Sequence, residues 1–306
     1  MKIKKLLIDG PIASELKKLN TPGVLRYDIS RITWFLYKKQ SYDGQELNLR
    51  SSTLDPRSLR RIETKLLNLG ILRTLSGITA SAGYGFIGGN ANDRNALICS
   101  FDPFCYLSHL SAMEFHGLTD RMPEQIYAST PAGMAWTVFA NERMKKDFGE
   151  DWLEYSHSGL PQLQRTALTK IGSRTVHLYT SVHRGAFKTI KDSPVRVSTL
   201  GRTFLDMLRE PNLCGGIAHV LQVFKTHAIA NKRLIFDEIE QHGTKIDKVR
   251  AGFIFEEICQ ITDPQLDAWV ACAARGGSRK LDPSADYDSN FSERWMLSLN
   301  VPDWRD

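Results

Sequence analysis

The sequence predicts an α+β fold, and two observations near its N-terminus carry most of that prediction. One is a well-marked amphipathic helix over residues 56–69. Asp55 can cap its first free N–H groups, Pro56 occupies the first helical position where its missing N–H costs nothing, and Gly70 is a natural left-handed stop. At about 100° per residue, Leu59, Ile62, Leu66 and Leu69 fall on one side. Arg57, Arg60, Arg61, Thr64 and Asn68 fall on the other, with Lys65 at its edge and Glu63 on the flank. The second observation is a pair of short strands just downstream, Ile71–Leu75 and Ile78–Phe86, around a Ser76-Gly77 turn. A helix with an apolar back and a basic, hydrogen-bonding front, leading into a hairpin, reads as a winged helix-turn-helix over residues 1–90. A helix of this length spans roughly 20 Å, enough to place its first turns in a major groove about 12 Å wide.

Charge distribution points the same way. Residues 1–86 hold 15 Lys/Arg against 7 Asp/Glu, a balance of +8, whereas residues 87–306 hold 25 against 27, a balance of −2. One segment carries all of the excess, as expected of a nucleic-acid-binding module joined to a domain with another task. No apolar run approaches the roughly 18 residues of a membrane span, and the opening MKIKKLLIDGP is too short and too soon acidic for a signal peptide. Five scattered cysteines, an odd number, imply a reducing cytoplasm.

Within the N-terminal module, residues 11–19 and 29–40 are the supporting helices. Asp28 or Ser30 is the expected cap of the second, Ile29, Ile32, Phe35 and Leu36 its apolar stripe, and Lys38 and Lys39 lie at its C-terminal end, where they suit the dipole or could meet phosphate. Residues 41–53 are polar and irregular, with Arg50 able to reach a phosphate. Arg73, on the first strand of the hairpin, completes the expected DNA-binding set. Residues 87–97 (IGGNANDRNAL) are Gly/Asn/Asp-rich and mark the domain junction. A larger mixed α/β domain is expected over residues 98–306.

That domain is expected to open with a helix from Asp102-Pro103 to Gly117, followed by a strand at 126–130 and a charged surface helix at 141–155. Cys99, Cys105, His109 and His116 lack the paired spacing of a zinc site, and packing explains them better. Between Tyr155 and Lys191 there is no Asp or Glu, while Arg165, Lys170, Arg174, Arg184, Lys188 and Lys191 occur with three histidines. Such a one-signed stretch is a candidate second basic patch, unless folding disperses it among acids from elsewhere. Within it, residues 174–182 alternate as a strand. Residues 195–197 form another strand, Ser198 or Thr199 caps a helix ended by Pro211, and Arg202 and Asp206 can pair along it. Helices are expected at 216–230, 234–241 and 246–261, and WMLSLNV is expected to close the sheet.

Four blocks taken in order resemble one family. SHLSAMEFHGLTDRMPEQIYAST, VRVSTLGRTFLDMLREPNLCGG, KVRAGFIFEE and RKLDPSADYDSNFSERWMLSLNVP are similar to the AbiEi-type antitoxins of type IV toxin–antitoxin systems, over about residues 101–306. The resemblance implies a repressor that binds repeats in its own promoter through an N-terminal winged helix. It also implies a C-terminal domain that antagonises a nucleotidyltransferase-like toxin encoded beside it, with or without direct contact. On this reading the chain is no enzyme and needs no cofactor or metal. Ser108, Ser111, Ala112, His116, Gly117 and Leu118, and Arg202, Thr203 and Asp206, fall on the family's blocks as scaffold. Gly201 departs from the pattern, since such sequences more often carry an acid there. The six basic residues between 165 and 191 are the candidates for toxin antagonism.

Two other classes compete. A metal-dependent nuclease would need converging carboxylates near a lysine, and Asp237, Glu238, Glu240 and Lys245 form the closest cluster, on what reads as an exposed helix face. A ligand-sensing regulator would need an apolar pocket with convergent polar groups.

Overall fold

A computed structural model describes residues 5–90, 92–181, 185–274 and 279–301. In chain order it contains α1 (Asp9–Lys18), β1 (Gly23–Leu25), α2 (Arg26–Lys39), β2 (Ser41–Tyr42), β3 (Gln45–Glu46), α3 (Pro56–Asn68), β4 (Leu72–Arg73) and β5 (Gly83–Phe86). Next come α4 (Arg94–Phe101), β6 (Tyr106–Leu107), α5 (His109–Phe115), β7 (Ile126–Pro131), α6 (Gly133–Phe148), α7 (Trp152–His157), β8 (Lys170–Ile171), β9 (Arg174–Ser181), β10 (Phe187–Thr189) and β11 (Arg196–Ser198). The chain continues with α8 (Leu200–Arg209), α9 (Ile217–His227), α10 (Lys232–His242), α11 (Lys245–Phe253), α12 (Pro264–Val270), β12 (Phe291–Ser292) and β13 (Leu297–Ser298). The architecture is α+β, as the sequence predicts.

The chain forms two compact units built from interleaved segments. The first holds residues up to 105, then 129–181 and 189–196, and the second holds 106–128, 185–188 and the chain from 197 onward. The first change of unit therefore falls after Cys105, beyond the 87–97 stretch, and later residues return to the N-terminal module. Strands β7, β10 and β11 each carry the chain from one unit into the other.

In the first unit, helix α3 forms as its caps dictate. The Asp55 carboxylate accepts the amides of Arg57 (2.8 Å) and Ser58 (3.0 Å), and Gly70 takes the left-handed conformation at φ +69°. Leu59, Ile62 and Leu66 are buried, but Leu69 is the C-cap and lies exposed, because the helix ends before its last apolar position can face inward. The strands after it are shorter than expected. β5 is the centre of a three-stranded antiparallel sheet in the order β1-β5-β4, with Val24 opposite Tyr84 and Leu72 opposite Phe86. Turns spaced by bonds such as Ile78 N–H to Leu75 O and Ala82 N–H to Thr79 O occupy the rest of the connection.

Helix α2 begins earlier than expected, at Arg26, and neither Asp28 nor Ser30 caps it: both lie inside the first turns and are buried. Residues 41–46, expected to be irregular, pair as the β2–β3 hairpin. Lys38 is held by Asp151 (2.9 Å) and Glu154 (2.7 Å), which gives it a structural role. The returning segment packs on α2 through aromatic rings. Phe35 stacks on Phe148 at 5.5 Å, and Trp34 meets Tyr155 edge-on at 5.4 Å. The charged helix placed on the surface thus has a buried side of Trp136, Ala140, Met144 and Phe148.

The expected helix from Asp102 to Gly117 forms only in its second half, as α5, with Gly117 left-handed at φ +65° as its stop. Asp102 ends α4, and its buried carboxylate accepts from the Phe104 amide (3.0 Å), Thr130 Oγ1 (2.6 Å) and Trp136 Nε1 (3.0 Å). The carboxylate is shared between a local turn at Phe104 and the distant Thr130 and Trp136, and the chain turns into β6 before any helix starts. Asp93, inside the supposed junction, caps α4 through the Ala96 amide (2.9 Å).

In the first unit β7, β9 and β8 lie in that order, and in the second β10, β11, β6 and β7, with β11 parallel to β6 through Val197 and Leu107. The core of the second unit is aromatic: Phe204 meets Phe224 edge-on at 4.9 Å, Phe224 meets Phe255 at 5.9 Å, and Trp269 and Trp295 are fully buried. Thr199 caps α8, and the Arg202–Asp206 pair forms at 2.8 Å, buried on both sides. Gly201 lets α8 and α10 close together, since a Cβ there would lie 2.3 Å from the Leu234 carbonyl oxygen. The C-terminal β12–β13 pair is a separate two-stranded hairpin and does not join the larger set of strands.

Candidate nucleic-acid interface

The front of α3 is exposed at every position expected to meet DNA: Arg57, Arg60, Arg61, Thr64, Lys65 and Asn68. Its only acid points away from that face. Glu63 is buried, and Arg26 grips it with two bonds, Nε to Oε1 at 2.7 Å and Nη2 to Oε2 at 3.2 Å. That fork-on-carboxylate geometry is strong and directional, so one negative charge is cancelled within the module. Among the described residues no carboxylate lies within 4.0 Å of the guanidiniums of Arg57, Arg60 or Arg61.

The two edges of the face differ from its centre. On one side Lys65 is held at 2.6 Å by Asp9 of α1, a partner so distant in the chain that helix periodicity could not reveal it. The same side opens on a groove of about 360 Å³ to which Arg50, Arg61 and Lys65 all contribute, so the structure brings Arg50 from its loop to the flank of α3. On the other side, Arg60 lines a cleft of about 700 Å³ that also receives Arg165. Along the middle remain Arg57, Arg61, Thr64 and Asn68, although the Thr64 hydroxyl donates back to the Arg60 carbonyl oxygen at 2.9 Å. Arg73 projects, exposed, from β4.

The acid-free stretch is distributed over both units. Arg165, Lys170, Arg174 and Lys191 belong to the first unit and Lys188 to the second, while Arg184 lies outside the described residues. Lys170 sits beside the β4–β5 connection: the Gly172 amide donates to Ser76 O at 3.0 Å, and the Lys170 carbonyl lies against Gly77. Arg174 is half-buried, and Lys188 stands over the Phe115 ring at 5.9 Å, a surface cation–π contact. Among the described residues of this set, Arg165 converges with an α3 arginine on a shared cleft.

The carboxylates weighed as a nuclease centre go separate ways. Glu240 accepts from Lys248 (2.8 Å), Trp269 Nε1 (2.8 Å) and Gln265 (3.0 Å), and Asp237 lies 3.8 Å from Arg233. Glu238, expected on the exposed face, is buried near Arg202 and Asp206, and burial pushes its carboxyl above the ordinary carboxylate range. Among the described residues, no group of three or more His, Cys, Asp and Glu is placed to hold a metal ion, and no helix is long and apolar enough to cross a membrane.

No protein-family model matches the chain, and no curated protein matches it. Its fold is similar to that in the crystal structure of the RV2827C protein from Mycobacterium tuberculosis, with a TM-score of 0.50 and 11% sequence identity over 96% of this chain and 92% of that one. At that identity the likeness is one of fold.

Proposed function

We propose that this protein is a cytoplasmic DNA-binding autorepressor, with α3 as the reading helix of a winged helix-turn-helix, and that its remaining parts act as the antitoxin to a nucleotidyltransferase-like toxin. The observation that carries the DNA reading is the exposed arginine face of α3, whose own acid is turned inward by the Arg26–Glu63 pair. The guanidiniums of that face form no ion pair among the described residues, although the exposed N-cap carboxylate of Asp55 is close enough to feel Arg61. The order helix, strand, helix, helix, strand, strand over residues 9–86, with a β1-β5-β4 sheet and the small β2–β3 hairpin set aside, supports the winged-helix assignment. The antitoxin half rests on the sequence resemblance of residues 101–306.

On this reading Arg57 and Arg61, at the N-terminal and central turns, are placed to meet base edges, and Arg50, Arg60 and Arg73 to meet phosphates. Phosphate contacts position the protein while base contacts specify the site. Gel shift with the DNA upstream of the gene is the test. The Arg57/Arg60/Arg61 triple alanine variant loses retention of that fragment; unchanged retention would refute the placement of the reading helix. Restored growth on co-expression with a downstream nucleotidyltransferase-like gene tests the antitoxin half, and no restoration would refute it.

A further inference from the structure

The cleft at the N-terminal end of α3 lies wholly within the first unit. Residues 159–167 form one wall, the β4–β5 connection another, and the start of α3 with Arg26 and Tyr27 the floor. Three arginines, Arg26, Arg60 and Arg165, line it, and among the described residues no Asp or Glu does. Arg26 is neutralised by Glu63 behind it, which leaves Arg60 and Arg165 as two positive charges. Arg165 is oriented by a neutral group: its Nη2 donates to Thr180 Oγ1 at 3.5 Å. Gln164, Thr166, Thr79 and Ser81 add neutral polar groups around the rim. Leu160, Pro161 and Pro56 supply an apolar surface beside them. At about 700 Å³ the cleft falls within the range that holds small ligands.

We propose that this cleft binds a phosphate ester of nucleotide size, with Arg60 and Arg165 gripping the phosphate and the proline and leucine surface receiving the ring. Two guanidiniums with no carboxylate lining the cleft match a phosphate dianion in charge, and each carries the planar fork of donors that phosphate oxygens accept. Because Arg60 also belongs to the α3 face, ligand and DNA draw on one side chain and oppose each other. That second consequence rests on the DNA-binding role proposed above, whereas ligand binding itself does not.

Calorimetric titration of the full chain with AMP, and with adenosine as the phosphate-free control, tests the site without DNA. AMP binds, adenosine does not, and R60Q and R165Q each weaken AMP at least about tenfold. No heat with AMP at millimolar concentration, equal binding of adenosine, or indifference to both substitutions would overturn the assignment. A duplex lacking the operator separates a free ligand from the DNA backbone as the phosphate source. If it displaces AMP from the R57A/R61A variant, the cleft is a backbone groove and the free-ligand assignment falls. Saturating AMP lowers operator affinity in the wild type and leaves R165Q unaffected; by reciprocity, operator DNA weakens AMP by the same factor. Unchanged operator affinity would overturn the opposition alone, and a protein that binds AMP without binding any DNA would sink the regulator reading while leaving the site intact.

Discussion

Replacing Arg26 with Met probes the device that keeps α3 one-signed. The substitution keeps an unbranched apolar stem and removes both bonds to Glu63, whose side chain is only 6% exposed while that of Arg26 is 23% exposed. Removing one partner of a fully buried pair costs about 3–5 kcal/mol, because the other charge is left without compensation. Water reaching the arginine side reduces this, and we expect about 2–3 kcal/mol. For a unit of this size that corresponds to roughly 4–12 °C in melting temperature. Urea and thermal unfolding followed by circular dichroism would measure it for R26M, E63Q and the double variant. The double variant recovers most of the loss, since no buried charge is then unpaired, and the coupling between the sites exceeds about 1 kcal/mol. A cost below about 0.5 kcal/mol for R26M, or additive losses in the double variant, would refute the claim that this pair holds Glu63 off the exposed arginine face.

Three further outcomes rest on named contacts. D9N releases Lys65 from its 2.6 Å pairing and adds one phosphate contact, so the log–log salt slope of DNA binding steepens by about 0.9; an unchanged slope would show that Lys65 does not face DNA. G201A forces α8 and α10 apart, because the new Cβ would meet the Leu234 carbonyl oxygen at 2.3 Å, and costs about 1–3 kcal/mol in chemical denaturation; a neutral result would mean the helices are not in this contact. E238Q stabilises the protein at neutral pH. Burial raises the Glu238 carboxyl above its unfolded value, so ionising it opposes folding as pH rises through that interval. The gain from E238Q therefore shrinks as pH falls through the ordinary carboxylate range, and a gain independent of pH would contradict a buried, ionisable Glu238.

Much of the N-terminal module was legible because its signals are local. Asp55-Pro56 and Gly70 fix both ends of α3 whatever surrounds them, and the Leu59, Ile62 and Leu66 spacing fixes its buried side. Features that depend on distant partners were not legible. Glu63 looks like a flanking surface acid until Arg26, 37 positions earlier, is seen to reach it. Asp102-Pro103 carries a valid helix-start signal, yet Thr130 and Trp136 claim the carboxylate and the helix starts only at His109, after β6. The Gly/Asn/Asp-rich junction hid α4, whose cap Asp93 was one of the residues read as loop. The charged 141–155 segment conceals its buried side because Phe148 and Tyr155 pack on α2, far back along the chain. Gly201 illustrates the same limit: the family resemblance suggests an acid there, and only the Leu234 carbonyl explains why none fits. The division of the acid-free stretch between the two units was hidden for a related reason, since a one-signed stretch of sequence says nothing about which unit each side chain enters.

The α3 face must meet a polyanion if this protein is a regulator, and the salt dependence of operator binding tests this most directly. The three arginines placed to meet phosphates, Arg50, Arg60 and Arg73, should give a slope of log affinity against log salt of about −2.7. The Arg57/Arg60/Arg61 triple alanine variant should fall to about −1.8. A slope near zero in the wild type, or one that the triple variant leaves unchanged, would contradict it.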